Sequence, residues 1–447
     1  MEFAKANSKE KGEDSIMKKL VSLLLALLML ATMVPAMAEE EPVTLSIMLS
    51  GEWIPGGNVA SNTGETSVVV TKILEEYAKR CPNVTLEFEA LNGGTDGYNS
   101  YLLRGAAGTL PDITMLDGYW VAAFASQGYT YPMEGRVDQK ILDEYYDAFK
   151  MMYDGETHGL VYSTAYNGVI WYRKSMLQAA GYETMPTEWD EFWKCIEAMS
   201  VPGERYGMTM SMAVTEATTC SLLGPYWAGQ DVFVDDDNVA QFNNETSVRI
   251  FEKFKEEFDN GVLPPESLNL DYNGAQDLFV KGQAATLVHG SWLCTGWNNI
   301  APEFADDIGI AMFPKDPDTG IVSQNAGGWN FSITTADTSK DKYISTFLEL
   351  MLTDPDFATL RIAESGEIPV TKTIGAMDCD WIPEEYRDVI LGVLPDAQTR
   401  PVVSSYPTAS EYYCQAFQAV VMGEKDAQTA LQDAADDLAE FVYDNDL

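Results

Sequence analysis

The stretch FVKGQAATLVHGSW, Phe279 to Trp292, decides how the sequence is read. Phe279 closes an amphipathic run, Gly282 supplies the left-handed residue that ends a helix, and Ala284 to Val288 reads as a short buried strand. Trp292 then follows the strand after Gly290-Ser291. A helix end, a tight turn and an apolar strand in succession are the units of an α/β protein. In open α/β sheets, ligands bind in the crevice beyond the carboxyl ends of the strands. Position makes Trp292 a candidate cleft residue, while its size suits a core residue equally well.

Upstream, Val43, Leu45, Ile47 and Leu49 alternate as a strand that ends at Ser50-Gly51-Glu52-Trp53. Val70, Ile73, Leu74 and Tyr77 recur at helical spacing until Pro82, and Val84, Leu86, Phe88 and Ala90 alternate again. Strand, helix, strand is a βαβ unit and predicts a parallel sheet. A helix over 98–107 leads to a third strand at 111–116, ending at Asp117-Gly118-Tyr119-Trp120. A second block has a strand over 166–173, a helix stopped by Gly181, and a capping signal at Thr187-x-x-Asp190 for a helix through Met199. Ser247, Phe251, Phe254 and Phe258 mark another helix. Downstream of the opening stretch, Ile308, Ile310 and Met312 alternate, Gly327-Gly328-Trp329-Asn330 opens a strand, and 427–442 is a terminal helix. With 447 residues and no repeats or long linkers, two α/β lobes are the economical reading.

Sixty-nine acidic residues against 28 basic give a net charge of −41. Such a surface repels phosphate backbones and anionic lipid, which argues against nucleic-acid and membrane-surface roles. Met17-Lys18-Lys19, the apolar run Leu20 to Leu30 and Pro35-Ala36-Met37-Ala38 have the order of a secretory signal peptide, so residues 1–38 are read as leader and signal, and the mature chain as exported. No cysteine follows the signal core at the position of a lipid-anchored cleavage site. The six cysteines show neither CxxC nor zinc-like spacing, and His158 and His289 stand in no ligand motif, so no metal and no cofactor is expected. Asp235-Asp236-Asp237-Asn238 lacks the glycine and distal glutamate of a calcium loop and reads as a solvated hairpin turn.

The aromatic residues carry the chemical signal. Trp53, Tyr119, Trp120, Tyr166, Tyr226, Trp227, Trp292 and Trp329 fall at predicted strand ends or in the loops after them. Their broad apolar faces suit a ligand that is apolar on one face and hydroxylated at its edges, as a pyranose is. Glu52, Asp117 and Asn167 stand beside them with acceptors and donors for hydroxyls. Catalytic motifs are absent: no GxSxG, HExxH, P-loop or GxGxxG. Paired carboxylates for glycoside hydrolysis stay open, because an acid-rich chain always offers pairs.

The segments AAGTLPDITML (106–116), NGVIWYRKSMLQAAG (167–181), MPTEWDEF (185–192), FVKGQAATLVHGSW (279–292), GGWNFSIT (327–334), MLTDPDFATL (351–360) and GEKDAQTALQDAADDLAEF (423–441) resemble, in order, the bacterial extracellular solute-binding proteins of the maltose-binding type. These are the receptors of ABC sugar importers. The resemblance implies an α/β, type II periplasmic-binding-protein-like fold whose two lobes, joined by several hinge segments, close on a ligand. Lobe I is expected over 39–160 and 308–365, lobe II over 161–307 and 366–447. By the same resemblance Trp292 lines the cleft, with Ser50 to Trp53, Tyr166, Tyr226 and the region of Tyr412 at cleft positions. It implies a monomeric receptor that binds a carbohydrate, without chemistry, and delivers it to an ABC permease. A secreted glycoside hydrolase is the alternative, and a peptide or organic ion the alternative ligand.

Overall fold

The computed structural model describes residues 41–54, 67, 69–92, 94–162 and 164–445. The leader and signal segment 1–38 and the side chain of Glu52 lie outside the described residues.

Twelve strands are present among the described residues: β1 (Val43–Leu49), β2 (Val84–Ala90), β3 (Ile113–Asp117), β4 (Lys150–Tyr153), β5 (Glu156–Val161), β6 (Ala165–Tyr166), β7 (Val169–Arg173), β8 (Tyr206–Thr209), β9 (Ala284–His289), β10 (Ile308–Ala311), β11 (Ala326–Gly327) and β12 (Trp329–Ile333). One sheet has the order β2-β1-β3-β12-β5-β4, a second β10-β7-β9-β8, and β11-β6 form a short ribbon. β1 runs parallel to β3 with Ile47 opposite Ile113. β12 lies antiparallel to both β3 and β5, so the first sheet is mixed rather than parallel throughout. The βαβ pattern could not show this, because β12 is contributed from more than 200 residues downstream.

Burial explains the patterns. Every residue of β9 is buried, with β7 and β8 on its edges and the helices Trp189–Met199 and Tyr272–Val280 packed against it, so it reads as an unbroken apolar run. Gly282 has φ +73 and ends the helix Tyr272–Val280, as the sequence predicts. The acidic stretch at 235–238 is a hairpin turn in which Asp235 Oδ1 accepts from the amides of Asp237 and Val239.

Three expectations change. β10 pairs with β7, Ile310 opposite Trp171, so 308–311 belongs with the second sheet and not with the first. Alternation announces a strand, whereas its partner is a long-range fact. The segment near Thr373, expected in lobe II, lies against the helix Gln139–Glu144: Thr373 donates its amide to Glu144 Oε2 at 3.0 Å. The helix Trp189–Met199 follows Glu188 and carries no side-chain cap, so the predicted capping box is not made.

The chain passes between the two sheets through the ribbon, from β5 by β6 into β7 and from β10 by β11 into β12. Isolated bridges at Thr164–Ile368 and Asn325–Gln398 extend these passages. The strand ends that meet there frame the site.

Candidate functional site

A cavity of about 610 Å³ opens where the carboxyl ends of β1, β3 and β9 face the ribbon. The first sheet contributes Ser50 and Trp53 after β1, Asp117 at the end of β3 and Tyr119 beyond it, Tyr162 after β5 and Trp329 at the start of β12. The second contributes Thr215, Glu216 and Cys220 at the start of the helix Glu216–Ala228, Asp271 and Tyr272 at the start of the helix Tyr272–Val280, and Trp292. Asn167 and Gly327 line it from the ribbon, and Arg400 from the segment that pairs alongside.

The Gly290-Ser291-Trp292 turn shows why the opening stretch has its composition. A Cβ on Gly290 would lie 2.0 Å from the Trp292 ring, so the indole folds back over a position that only glycine leaves open. The Gly290 carbonyl accepts from Trp171 Nε1 at 3.0 Å. Ser291 Oγ accepts the Tyr166 amide at 3.0 Å and ties the turn to the ribbon. The half-buried Trp292 ring meets Tyr272 edge-on at 5.8 Å and His289 at 5.4 Å. Tyr272 is fixed by donating its hydroxyl to the Asn167 carbonyl at 2.7 Å. His289 is 3% exposed, and burial pulls its pKa down to about 3.

On the opposite wall, Trp53 and Tyr162 pack edge to face at 5.2 Å. The buried Arg361 guanidinium lies 4.6 Å from the Tyr162 ring and 5.6 Å from that of Trp53, with Nε donating to the Met351 carbonyl at 2.9 Å. Trp329 rests on Trp120, which also supports Tyr119. The polar centre is Arg400, paired with Asp117 and, at 2.9 Å, with Glu216, while its guanidinium stacks 4.6 Å from the Tyr119 ring. Burial raises the Asp117 pKa to about 6, Glu216 adds to the rise, and Arg400 opposes it.

Of the residues singled out in the sequence, Trp53, Asp117, Tyr119, Asn167, Trp292 and Trp329 line this cavity. Trp120 and Tyr166 lie fully buried behind it, Tyr166 in the core under β7 and β9. Tyr226 and Trp227 are not at a strand end: both are buried in the helix Glu216–Ala228, where Tyr226 donates its hydroxyl to the Val232 carbonyl. Tyr412 is half-buried on the helix Tyr406–Val421 and faces Asp437 and Glu440 of the terminal helix. Sequence reasoning missed Arg400, Glu216, Tyr272 and Tyr162. A scarce cation beside a proline and an aromatic residue after the helix-capping Asp271 were the available signals for Arg400 and Tyr272.

The family model of bacterial extracellular solute-binding proteins matches residues 60–356. The chain belongs to this family. A binding protein of Brucella abortus is 23% identical over 399 residues, spanning 88% of this chain and 95% of that one. The galactooligosaccharide-binding protein of Bacillus subtilis is 21% identical over 392 residues, 85% of this chain and 84% of that one. Among solved structures, maltose-bound T. maritima MalE3 superposes with a TM-score of 0.73 at 21% identity, covering 89% of this chain and all of that one. The fold of this solute-binding protein is thus the mixed α/β fold of type II periplasmic binding proteins. No helix among its described residues is long and apolar enough to cross a membrane.

Proposed function

We propose that this solute-binding protein takes up a carbohydrate, an oligosaccharide, by hinge closure and presents it to the permease of an ABC importer. One observation carries the reading: the half-buried rings of Tyr272, Trp292 and Trp329 open on the same cavity as the carboxylates Asp117, Glu216 and Asp271. Aromatic faces stack on the apolar faces of pyranose rings, and carboxylates accept from the hydroxyls at their edges. The maltose in T. maritima MalE3 and the specificity named for the B. subtilis relative agree with that chemistry.

The two lobes are built on the two sheets: the first from β1 to about residue 160 and again from β12 to about 375, the second from the intervening and C-terminal segments. Contacts from both lobes to one ligand exist only when they approach, so binding shifts the equilibrium toward closure. The protein acts as a monomer without chemistry. The pair Asp117 and Glu216 supports the absence of chemistry, because both hold Arg400 instead of facing each other as an acid and a base. Thermal shift across mono- and oligosaccharides, followed by calorimetry, is the test. A ligand at 100 times its dissociation constant adds about 2.7 kcal/mol of stability. Turnover of a sugar, or binding of a peptide or organic ion in preference to every sugar, would overturn the proposal.

A further inference from the structure

We propose that the cleft selects its glycan by charge, accepting uncharged sugars and rejecting acidic ones, and that Arg400 sets this selectivity because its charge is already offset by two carboxylates. The inference rests on the carbohydrate reading and adds a substrate class to it. Recognition of a uronate, sulfate or phosphate group needs a cation whose charge is not already offset, and a bidentate arginine serves best. Arg400 is the only cation among the described residues that line the cavity, against the carboxylates of Asp117, Glu216, Asp271, Glu364 and Glu367.

Arg400 is buried and doubly ion-paired before any ligand arrives. The residue is 7% exposed. Nη1 donates to Glu216 Oε1 at 2.9 Å and Nη2 to Asp117 Oδ1. One face of the guanidinium lies over Tyr119. Gly327 runs alongside, and its missing Cβ, which would sit 3.2 Å from Nη2, leaves room for the guanidinium. Asp117 ends β3 in the first sheet and Glu216 opens the helix after β8 in the second, so the arginine joins the two walls beneath the cavity. An acidic sugar entering above it meets carboxylates with no cation to receive it. A neutral sugar meets carboxylate oxygens, such as those of Asp117 and Asp271, as hydroxyl acceptors. The net charge of −41 on the whole chain works in the same direction at long range.

The test measures binding of matched-length galactooligosaccharides, oligogalacturonides and chitosan oligomers by calorimetry on the full chain. Apposed like charges cost several kcal/mol, which converts to roughly 100-fold weaker binding of an acidic sugar than its neutral match. The cationic chitosan oligomer suffers no such electrostatic penalty. Glu216→Gln returns one edge of the guanidinium to the cleft and should narrow the neutral-to-acidic ratio about tenfold. Asp117→Asn does the same from the other side and serves if the first variant fails to fold. A merely structural role for the triad would weaken both sugars equally and leave their ratio unchanged, which would overturn the role of Arg400. Wild-type protein that binds an oligogalacturonide as tightly as its neutral match would overturn the charge selection while leaving the carbohydrate reading intact. Failure of every saccharide of any charge to bind would sink both.

Discussion

Trp292→Ala separates a ligand-stacking ring from a core ring. The indole is half-buried and held edge-on by Tyr272 and His289, so a face remains toward the cavity. Large aromatic side chains bury about 150–250 Å² in full. If stacking covers some two-fifths of that, about 60–100 Å² leaves water on binding, worth about 1.5–3 kcal/mol. Trp292→Ala should then raise the dissociation constant about 10- to 150-fold. Folding stability should fall by less than the 3–5 kcal/mol typical of emptying a core tryptophan site. Calorimetry and urea unfolding on one variant give both numbers. Gly290→Ala is the companion: its Cβ would meet the ring at 2.0 Å, so the indole must swing while staying present. That variant should also lose affinity, with a shift in tryptophan emission. A Trp292→Ala protein that loses 3–5 kcal/mol of stability yet binds normally would refute the reasoning.

Closure predicts that small-angle scattering shows the radius of gyration falling on saturation with a calorimetrically verified ligand, at constant circular dichroism; an unchanged radius counts against a hinge. Tyr272→Phe removes the 2.7 Å hydrogen bond to the Asn167 carbonyl and should lower stability by about 1 kcal/mol, with a loosened Trp292 visible as weaker sugar binding. His289 gives a pH dependence of definite sign. Its folded pKa, about 3, lies below the unfolded value near 6.5, so the unfolded chain takes up the proton first. Its contribution is complete above pH 6.5 and is lost as pH falls toward 3, at up to about 1.4 kcal/mol per pH unit. Urea midpoints measured across that window should be flatter for His289→Phe than for the wild type; identical slopes would show that the imidazole is not buried in its neutral form.

How much of this was legible follows from which interactions are local. The strands from β1 to β3 and the stop at Gly282 were readable, because side-chain alternation and a left-handed glycine are set by neighbours in sequence. Tyr226 and Trp227 misled for a physical reason. Their helix is buried over nearly its whole circumference and contains Pro225, so it shows neither an apolar stripe nor an uninterrupted helical composition. Trp120 and Tyr166 sit at strand ends as expected but face inward, and position along a strand does not say which way the chain turns next. Glu216 is one acid among 69 and acquires meaning only through Arg400, which lies 184 positions away.

The opening stretch marks the boundary between the two kinds of information. Its strand and turn are local, yet each residue of His289-Gly290-Ser291-Trp292 has a partner from elsewhere in the chain. His289 and Trp292 meet Tyr272, Gly290 takes the Trp171 indole proton, and Ser291 takes the Tyr166 amide. All three partners are aromatic, from β6, β7 and the helix start after Asp271, so the turn is held by two core rings and by Tyr272, which itself lines the cavity. A tryptophan serving only to fill the core needs no glycine beneath its ring and no serine fastening its turn to the ribbon. The pattern Gly-Ser-Trp therefore encodes an orientation, and the orientation is what places the ring on the cavity.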